Sequence, residues 1–249
     1  MKLFSFAKFH NSSKKNLFLI PFFFTFANAF CGFISVIKTL DEAYIIAALF
    51  ILLAACMDLC DGRLARIFGS TSVLGMELDS LCDAISFCFA PAILIYSWSL
   101  YQLGFAGVIV LGLYLCTGLF RLARFNTYSI DQATSFVGLP TTMAAFFLAN
   151  IVIYENWISH SAFKTILKAD RIAFLVTIIA LLMISTIKFP SSKYIKMRFA
   201  TGSFLVLCAT IGIWFLIKGY PLFLVIAILY IIVSFAINIF KEITRSWWN

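Results

Sequence analysis

The sequence predicts an all-α protein, a polytopic bundle of about eight transmembrane helices. Of its 249 residues, 63% are apolar and 12% are charged, and the mean hydropathy is +1.01. Soluble domains carry about 25% charged residues, so this composition excludes an ordinary soluble fold. The apolar runs are about 20 residues long, which is the length of a membrane helix and about twice that of a membrane β-strand.

The apolar runs place the expected helices in chain order. They lie at 17–37, 43–60, 78–98, 104–120, 139–154, 172–188, 200–217 and 221–240. The second helix is expected to continue through Arg66, because no helix-breaking residue comes before Gly69. The fifth opens at Gly138-Leu139-Pro140, where proline suits a helix start. We therefore predict an N-terminal arm over 1–16, a six-helix core over 17–190 and two further helices within 191–249.

The first apolar run has some features of a secretory signal peptide. Lysines precede it, and Ala27-Asn28-Ala29 mimics a cleavage site. Apolar character nevertheless continues to Ile37, so the segment is long enough to span a bilayer. We expect an uncleaved first helix.

Basic residues indicate how the chain is oriented. Counted by alternate sides of the expected spans, 14 of the 19 Lys and Arg fall on one side and 5 on the other. The positive-inside rule then puts both termini in the cytoplasm. Basic residues at membrane edges set topology and touch anionic lipid headgroups, so the net charge of +8 predicts membrane lipids and no nucleic acid as partner. The polar 155–171 stretch is expected to be an outside loop or a surface-lying helix.

Four aspartates at helical spacing stand out in this apolar chain: Asp58, Asp61, Asp79 and Asp83. One charged side chain at the centre of a membrane helix costs roughly 2.5–3.5 kcal/mol, so four at that depth would cost about 10 kcal/mol or more. A metal ion, a partner or a water-filled cavity is needed to offset this. The predicted topology puts these acids at the cytoplasmic ends of helices two and three.

Helical phase brings the acids onto two facing surfaces. Asp58, Asp61, Gly62 and Ala65 share one face of the second helix. Gly75, Asp79 and Asp83 follow at steps of four on the third, while Glu77 points away and is expected to be solvated. Converging carboxylates suit Mg²⁺, Mn²⁺ or Ca²⁺ and not zinc. Two such ions about 3.5–4 Å apart would clamp a phosphate or pyrophosphate. The small residues would let a nucleotide lie close to the helix, or would serve helix packing.

The string D-x2-D-G-x2-A-R-x8-G-x3-D-x3-D, from Asp58 to Asp83, resembles the signature of the CDP-alcohol phosphatidyltransferases. Further segments resemble the phosphatidylserine synthase branch of that family. They are Asn28-x-x-Cys31-Gly32-Phe33, Arg121-Leu122-Ala123-Arg124-Phe125-Asn126 with Gly138-Leu139-Pro140-Thr141, and Ile187-Lys188-Phe189-Pro190. The resemblance runs from residue 17 to residue 190, so the last two predicted helices lie outside it.

This resemblance implies a CDP-alcohol phosphatidyltransferase-like core and a role for each residue of the string. Asp58, Asp61 and Asp79 would bind the metals, and Asp83 would be the general base and a further metal contact. The cofactor would be Mg²⁺ or Mn²⁺, with two ions, and Ca²⁺ is a third option. The residues implied at the CDP-diacylglycerol site are Asn28, Gly62, Ala65, Arg66 and Gly75.

The resemblance also implies a reaction. The phosphatidyl group of CDP-diacylglycerol would pass to L-serine, giving phosphatidylserine and CMP. Direct displacement is favoured over a covalent phosphatidyl-enzyme, because no histidine and no Ser–base pair accompanies the acids. A sister transferase using glycerol-3-phosphate or an inositol-type acceptor is the alternative. A cation- or proton-coupled transporter is a more distant one, and the paired broken helices typical of transporters are absent from the sequence.

Recognition of the acceptor is expected at the end of the fourth helix. Arginine binds carboxylates through paired donors, and Arg121 and Arg124 lie three apart with Asn126 nearby. The two arginines would equally serve as positive-inside anchors. The resemblance favours serine or phosphate binding by all three residues. It also implies a homodimer in the cell membrane, the inner membrane of a bacterium, with the active site facing the cytoplasm.

Overall fold

A computed structural model describes the backbone of residues 12–67, 72–128, 136–158, 168–185 and 188–189. Within these ranges the elements are helical apart from one pair of two-residue strands. The helices are α1 (Ser12–Leu40), α2 (Tyr44–Ile67), α3 (Val73–Asp83), α4 (Ala90–Trp98), α5 (Phe105–Tyr128), α6 (Thr141–Ile158) and α7 (Ala169–Ile184). The predicted helical class is therefore confirmed.

Four of the described helical segments are long and apolar enough to cross a membrane. They are Pro21–Leu40, Tyr44–Leu64, Val73–Trp98 and Phe105–Thr127, and the shorter apolar Thr141–Glu155 follows. With α7, these match the first six predicted runs. The runs at 200–217 and 221–240 lie outside the described residues, so the count of eight helices stays a prediction. Residues 1–11 of the predicted arm also lie outside them, and α1 already begins at Ser12.

The third span is one continuous helical rod that consists of three helical segments. Helix α3 passes without a break into a π-helical segment, Ala84–Phe89, and this passes into α4. The rod begins earlier than the predicted residue 78, because the Ser72 hydroxyl accepts a hydrogen bond from the Gly75 N–H (3.0 Å) and caps α3. Short π-helical segments are uncommon and frequently occur at functional sites. This one begins directly after Asp83.

Helix α1 buries a polar face and exposes an apolar one. A stripe at alternating steps of three and four residues is buried: Thr25, Asn28, Gly32, Ser35 and Thr39. The exposed face of the same stretch carries phenylalanines: Phe23, Phe26, Phe30 and Phe33. Lipid tails solvate apolar side chains well, while small and polar residues let helices approach each other closely. The polar stripe therefore faces the rest of the bundle, where α1 packs against α2, α3 and the π segment.

The ends of α5, α6 and α7 meet at a tight corner. The strands β1 (Phe136–Val137) and β2 (Lys188–Phe189) pair antiparallel, and the Leu139 N–H donates to the Leu182 carbonyl (3.0 Å). Gly138 has φ +82°, and a Cβ there would meet the Met183 carbonyl oxygen. Only glycine suits this combination of backbone angle and close approach. The corner places the beginning of α6 beside the end of α5.

Candidate active site

Three of the four aspartates predicted to form one surface do converge. Asp58 and Asp61 come from α2 and Asp79 from α3, and one carboxylate oxygen from each lies within 4.8 Å of the others. Asp83 follows Asp79 by one helical turn and is not part of this group of three. Helical phase therefore predicted the convergence of Asp58, Asp61 and Asp79, and the place of Asp83 in the same metal site stays a prediction.

Two of the carboxylates have buried oxygens, and no cation among the described side chains pairs with them. Asp61 Oδ2 and Asp79 Oδ1 are buried and have no hydrogen-bond partner among the described residues. The ion pair found among the described residues joins Lys38 of α1 to Asp41 in the turn after it. No ion pair among these residues involves the four acids. Buried carboxylates without a partner are strongly unfavourable. The cluster therefore needs a cation from outside the described chain.

The donor set fits a divalent cation. Carboxylate oxygens are the hard ligands that Mg²⁺, Mn²⁺ and Ca²⁺ prefer. Opposite ligands of one Mg²⁺ lie about 4.2 Å apart, twice the metal–oxygen distance. The observed limit of 4.8 Å is close to this, so small side-chain rotations would let Asp58, Asp61 and Asp79 share an ion.

Asp83 is held differently from the other three acids. It is 9% exposed, and its Oδ1 accepts a hydrogen bond from Asn28 Nδ2 of α1 (2.9 Å). It is not part of the group of three carboxylates that lie within 4.8 Å of one another. The carboxylate therefore lies beside the candidate metal site with one oxygen already engaged, which suits a proton acceptor.

The small residues of the motif are only partly described. Gly62 is half-buried on α2, next to Asp61. The side chains of Ala65 and Arg66 lie outside the described residues. Gly75 is in the capped first turn of α3, where an added Cβ would lie 3.2 Å from the Ser72 hydroxyl and 3.9 Å from the Phe22 ring. The roles expected for these residues at the CDP group stay predictions.

The three residues expected to bind the acceptor have different surroundings. Arg121 is buried, at 7% exposure, and its Nη1 donates to the Thr141 hydroxyl at the start of α6 (3.4 Å). Arg124 donates from its two Nη atoms to the Ile184 and Met183 carbonyls at the end of α7 (3.3 and 3.5 Å). Cationic donors suit the free carbonyls at a helix C-terminus. Arg124 therefore ties α5 to α7.

Asn126 is engaged with α3. Its Oδ1 accepts from the Ser80 hydroxyl (2.9 Å), and its Nδ2 donates to Glu77 Oε2 (3.2 Å). Glu77 is exposed, as the sequence predicted, but it also takes part in this contact. Asn126 therefore joins the end of α5 to the helix that carries Asp79 and Asp83.

Sequence reasoning did not select three residues around the acids. Thr25 of α1 lies beside Asp61, Ser80 contacts Asn126, and Ser86 donates to the Asn28 carbonyl (2.9 Å). The polar stripe of α1 was a readable signal for Thr25, since it precedes Asn28 by three residues in an apolar helix. The two serines gave no signal, because serine in a membrane helix commonly bonds to its own backbone.

Comparison with known proteins agrees with this geometry. The family model for CDP-alcohol phosphatidyltransferase matches residues 18–185, which include the whole acid cluster. The chain belongs to the CDP-alcohol phosphatidyltransferase family. This confirms the family inferred from the Asp58–Asp83 string. Members of the family generally depend on divalent metal ions, which is consistent with the three converging carboxylates.

The chain is also similar to several proteins whose names specify a phosphatidyltransferase or synthase. It is 31% identical over 184 residues to the CDP-diacylglycerol–serine O-phosphatidyltransferase of Helicobacter pylori, covering 72% of this chain and 75% of that protein. It is 34% identical over 176 residues to the enzyme of the same name from Bacillus subtilis, covering 70% and 91%. The archaetidylserine synthase of Methanothermobacter thermautotrophicus is 32% identical over 183 residues, covering 72% and 73%.

Proposed function

We propose that this protein is a CDP-diacylglycerol–serine O-phosphatidyltransferase, which transfers the phosphatidyl group of CDP-diacylglycerol to L-serine and releases CMP. The observation that carries the proposal is the set of converging carboxylates inside a matched transferase family. Relatives at 31–34% identity carry the name of this activity. The relative from Methanothermobacter is named for archaetidylserine, so its name also specifies serine.

Asp58, Asp61 and Asp79 are the proposed ligands of the divalent cations, with Asp83 as a further contact. Bound Mg²⁺ or Mn²⁺ would supply positive charge where the pyrophosphate and the departing CMP carry negative charge. Two ions are proposed, since four carboxylates and a pyrophosphate provide enough oxygens for both. With the cations bound, the aspartates would fix the donor's pyrophosphate at one place beside α2 and α3.

Asp83 is the proposed general base. The serine hydroxyl oxygen attacks the lipid-side phosphorus, and the bond from that phosphorus to the CMP oxygen breaks. The hydroxyl proton passes to the Asp83 carboxylate, and CMP leaves with the electron pair of the broken bond. A serine hydroxyl is a poor nucleophile unless a base is within hydrogen-bond reach, and carboxylates serve in this role. The position of Asp83 beside the metal ligands supports this assignment.

Direct displacement is the proposed route, and a covalent phosphatidyl-enzyme is the rival. Exchange of labelled CMP into CDP-diacylglycerol distinguishes them. Direct transfer predicts no exchange without serine, whereas a covalent intermediate predicts exchange in its absence.

The donor's CDP group is proposed to lie along Gly62, Ala65 and Gly75, with Arg66 beside it. Asn28 was also expected there, but its Nδ2 donates to Asp83, which favours a supporting role. The acceptor's carboxylate is proposed to contact Arg121, because this guanidinium is buried and donates to Thr141 at the start of α6. Arg124 and Asn126 were also expected at the acceptor. Their contacts favour a supporting role, in which they fix the end of α5 against α7 and α3.

The membrane arrangement is part of the proposal. We propose a multi-pass protein of the bacterial inner membrane, with both termini and the active site in the cytoplasm, because most Lys and Arg fall on that side. Reporter fusions at the two termini test the orientation, and a periplasmic signal from either would contradict it. A homodimer is proposed from the family resemblance, and cross-linking in native membranes tests it.

One assay tests the activity and the acceptor together. Purified protein receives CDP-diacylglycerol, Mg²⁺ or Mn²⁺, and serine, glycerol-3-phosphate or inositol in separate reactions. We expect CMP release only in the reaction that contains serine as the acceptor. CMP release with glycerol-3-phosphate or inositol, and none with serine, would show that the proposed acceptor is wrong. The assignment to the transferase family would still hold.

A further inference from the structure

Among the described residues, Asn28 makes a side-chain contact with Asp83 that the metal site does not explain. Asn28 is fully buried in α1, and its Nδ2 donates to Asp83 Oδ1 at 2.9 Å. The two residues are 55 positions apart in the chain. A buried hydrogen bond to a carboxylate is shorter and stronger than one between neutral groups. This bond fixes the position of the Asp83 carboxylate, and it engages Oδ1 and not Oδ2.

A second bond fixes Asn28 against the same rod. The Ser86 hydroxyl donates to the backbone carbonyl of Asn28 at 2.9 Å. Ser86 lies in the π segment that begins directly after Asp83. The Asn28 backbone and side chain are therefore both joined to residues within one helical turn of each other.

Gly32 makes this approach of α1 to the π segment sterically possible. A Cβ at Gly32 would lie 2.5 Å from Ser86 Oγ and 2.8 Å from Ser86 Cα. Contacts this short do not occur with a real side chain, so a residue larger than glycine would force the two helices apart. Asn28 and Gly32 are one turn apart on the buried stripe of α1. Asn28 bonds to Asp83 and Ser86, and Gly32 allows α1 to pack closely against Ser86.

The π segment is itself held from its other side. The Tyr114 hydroxyl of α5 donates to the Phe87 carbonyl at 2.8 Å, and both residues are fully buried. A π-helical turn leaves backbone carbonyls out of the regular ladder, where side chains can bond to them. The rod is therefore fixed by α1 and α5 just after Asp83, which keeps that carboxylate at a constant depth in the bundle.

We infer that Asn28 is a positioning residue for Asp83. By engaging Oδ1, it turns Oδ2 toward the acceptor hydroxyl whose proton Asp83 takes. This inference rests on the proposed function, since it assumes that Asp83 is the base. It differs from a role for Asn28 in donor binding, because it places the effect of Asn28 on turnover and not on affinity for CDP-diacylglycerol.

The test uses Asn28→Leu, which keeps the number and branching of the side-chain heavy atoms and removes the amide. Loss of a residue that orients a site group typically costs 10–100-fold, so we expect kcat to fall by about that factor. Affinity for CDP-diacylglycerol, measured by equilibrium binding without acceptor, is expected to stay at the wild-type value. Ser35→Ala is the matched control, because Ser35 is a buried polar residue two turns further along the same stripe. We expect it to leave both quantities unchanged.

Two results would overturn the inference. Weakened donor binding with kcat retained would place Asn28 in the donor site, and unchanged kcat in Asn28→Leu would leave it a packing residue. Wild-type protein is assayed in parallel with serine, glycerol-3-phosphate and inositol, and the variants use the acceptor that supports CMP release. Failure of serine in wild-type protein therefore contradicts the proposed function and not the role of Asn28.

Thermal unfolding in detergent gives a readout that needs no activity. Asn28→Leu leaves the buried Asp83 carboxylate without its donor and is expected to lower Tm. In an Asp83→Leu background the same change removes a donor that has lost its acceptor, so Tm is expected to fall less or to rise. Tm shifts of the two single variants that add in the double variant would show that the residues do not interact.

Discussion

Replacing Asp79 with asparagine should stabilise the metal-free protein while abolishing its activity. The oxygens of Asp58, Asp61 and Asp79 lie within 4.8 Å of one another. At that separation each ionised pair repels by about 3.5 kcal/mol with an effective dielectric constant of about 20. Asp79→Asn keeps the side-chain shape and removes two of the three repulsive pairs. The repulsion removed is then about 7 kcal/mol for a fully ionised trio.

Solvation and rearrangement offset most of this repulsion, so the net stabilisation is much smaller than about 7 kcal/mol. A net gain of about 1 kcal/mol raises Tm by about 2–4 °C for a chain of this size, which is measurable. Bound metal stabilises the wild-type protein by neutralising the same charges. Mg²⁺ or Mn²⁺ should therefore raise the wild-type Tm strongly and the Asp79→Asn Tm much less.

The assay is thermal unfolding of detergent-purified protein in EDTA and in Mg²⁺ or Mn²⁺, with serine-dependent CMP release measured on the same samples. Glu77→Gln is the matched control, because it makes the same change of charge on the same helix at an exposed position. It should leave the metal response intact. Two results would refute the account of the cluster as a repulsive metal site. One is a Tm of Asp79→Asn in EDTA below that of wild-type protein. The other is an equal metal-induced rise in Tm for Asp79→Asn and Glu77→Gln.

Three further predictions follow from the contacts. Chelation with EDTA should stop CMP release, and Mg²⁺ or Mn²⁺ but not Zn²⁺ should restore it, because the donors are carboxylate oxygens; full release in EDTA would contradict a metal role. Arg121→Ala should raise the serine KM, whereas Arg124→Ala should lower Tm and keep that KM, because Arg124 donates to carbonyls at the end of α7; the opposite pattern would exchange their roles. Gly138→Ala should lower Tm, because φ is +82° and the Cβ would meet the Met183 carbonyl oxygen. Gly112→Ala, with nothing within 4 Å of the added Cβ, is its control and should leave Tm unchanged or higher.

Much of the fold was predictable because local chemistry determines it. Apolar runs of about 20 residues predict helices in a bilayer, since backbone groups must bond within the segment. The end of α2 beyond the membrane edge was also predicted, and the helix is described through Ile67. The π segment after Asp83 was not predicted. Its residues are as apolar as those of a regular helix, and the shift in phase depends on packing against α1 and α5.

The sequence by itself determined the carboxylate surface, and the resemblance of the Asp58–Asp83 string to a known signature gave the transferase family. Asp58 and Asp61 share a helix face and Asp79 and Asp83 follow at a step of four, so helical geometry alone makes them a carboxylate surface. Periodicity acts over a few residues and needs no knowledge of the bundle. The same holds for the polar stripe of α1, where small and polar residues in an apolar helix indicate the face that meets its neighbours.

Only the tertiary structure decided what holds this surface in place. Asn28 reaches Asp83 across 55 positions, and Arg124 reaches the Ile184 carbonyl across 60. In a membrane helix both the lipid-facing and the bundle-facing sides tolerate apolar residues, so hydropathy does not indicate which helices become neighbours. The pairing of distant helices is set by close packing and by buried hydrogen bonds. Those contacts separate a residue that binds substrate from one that positions another.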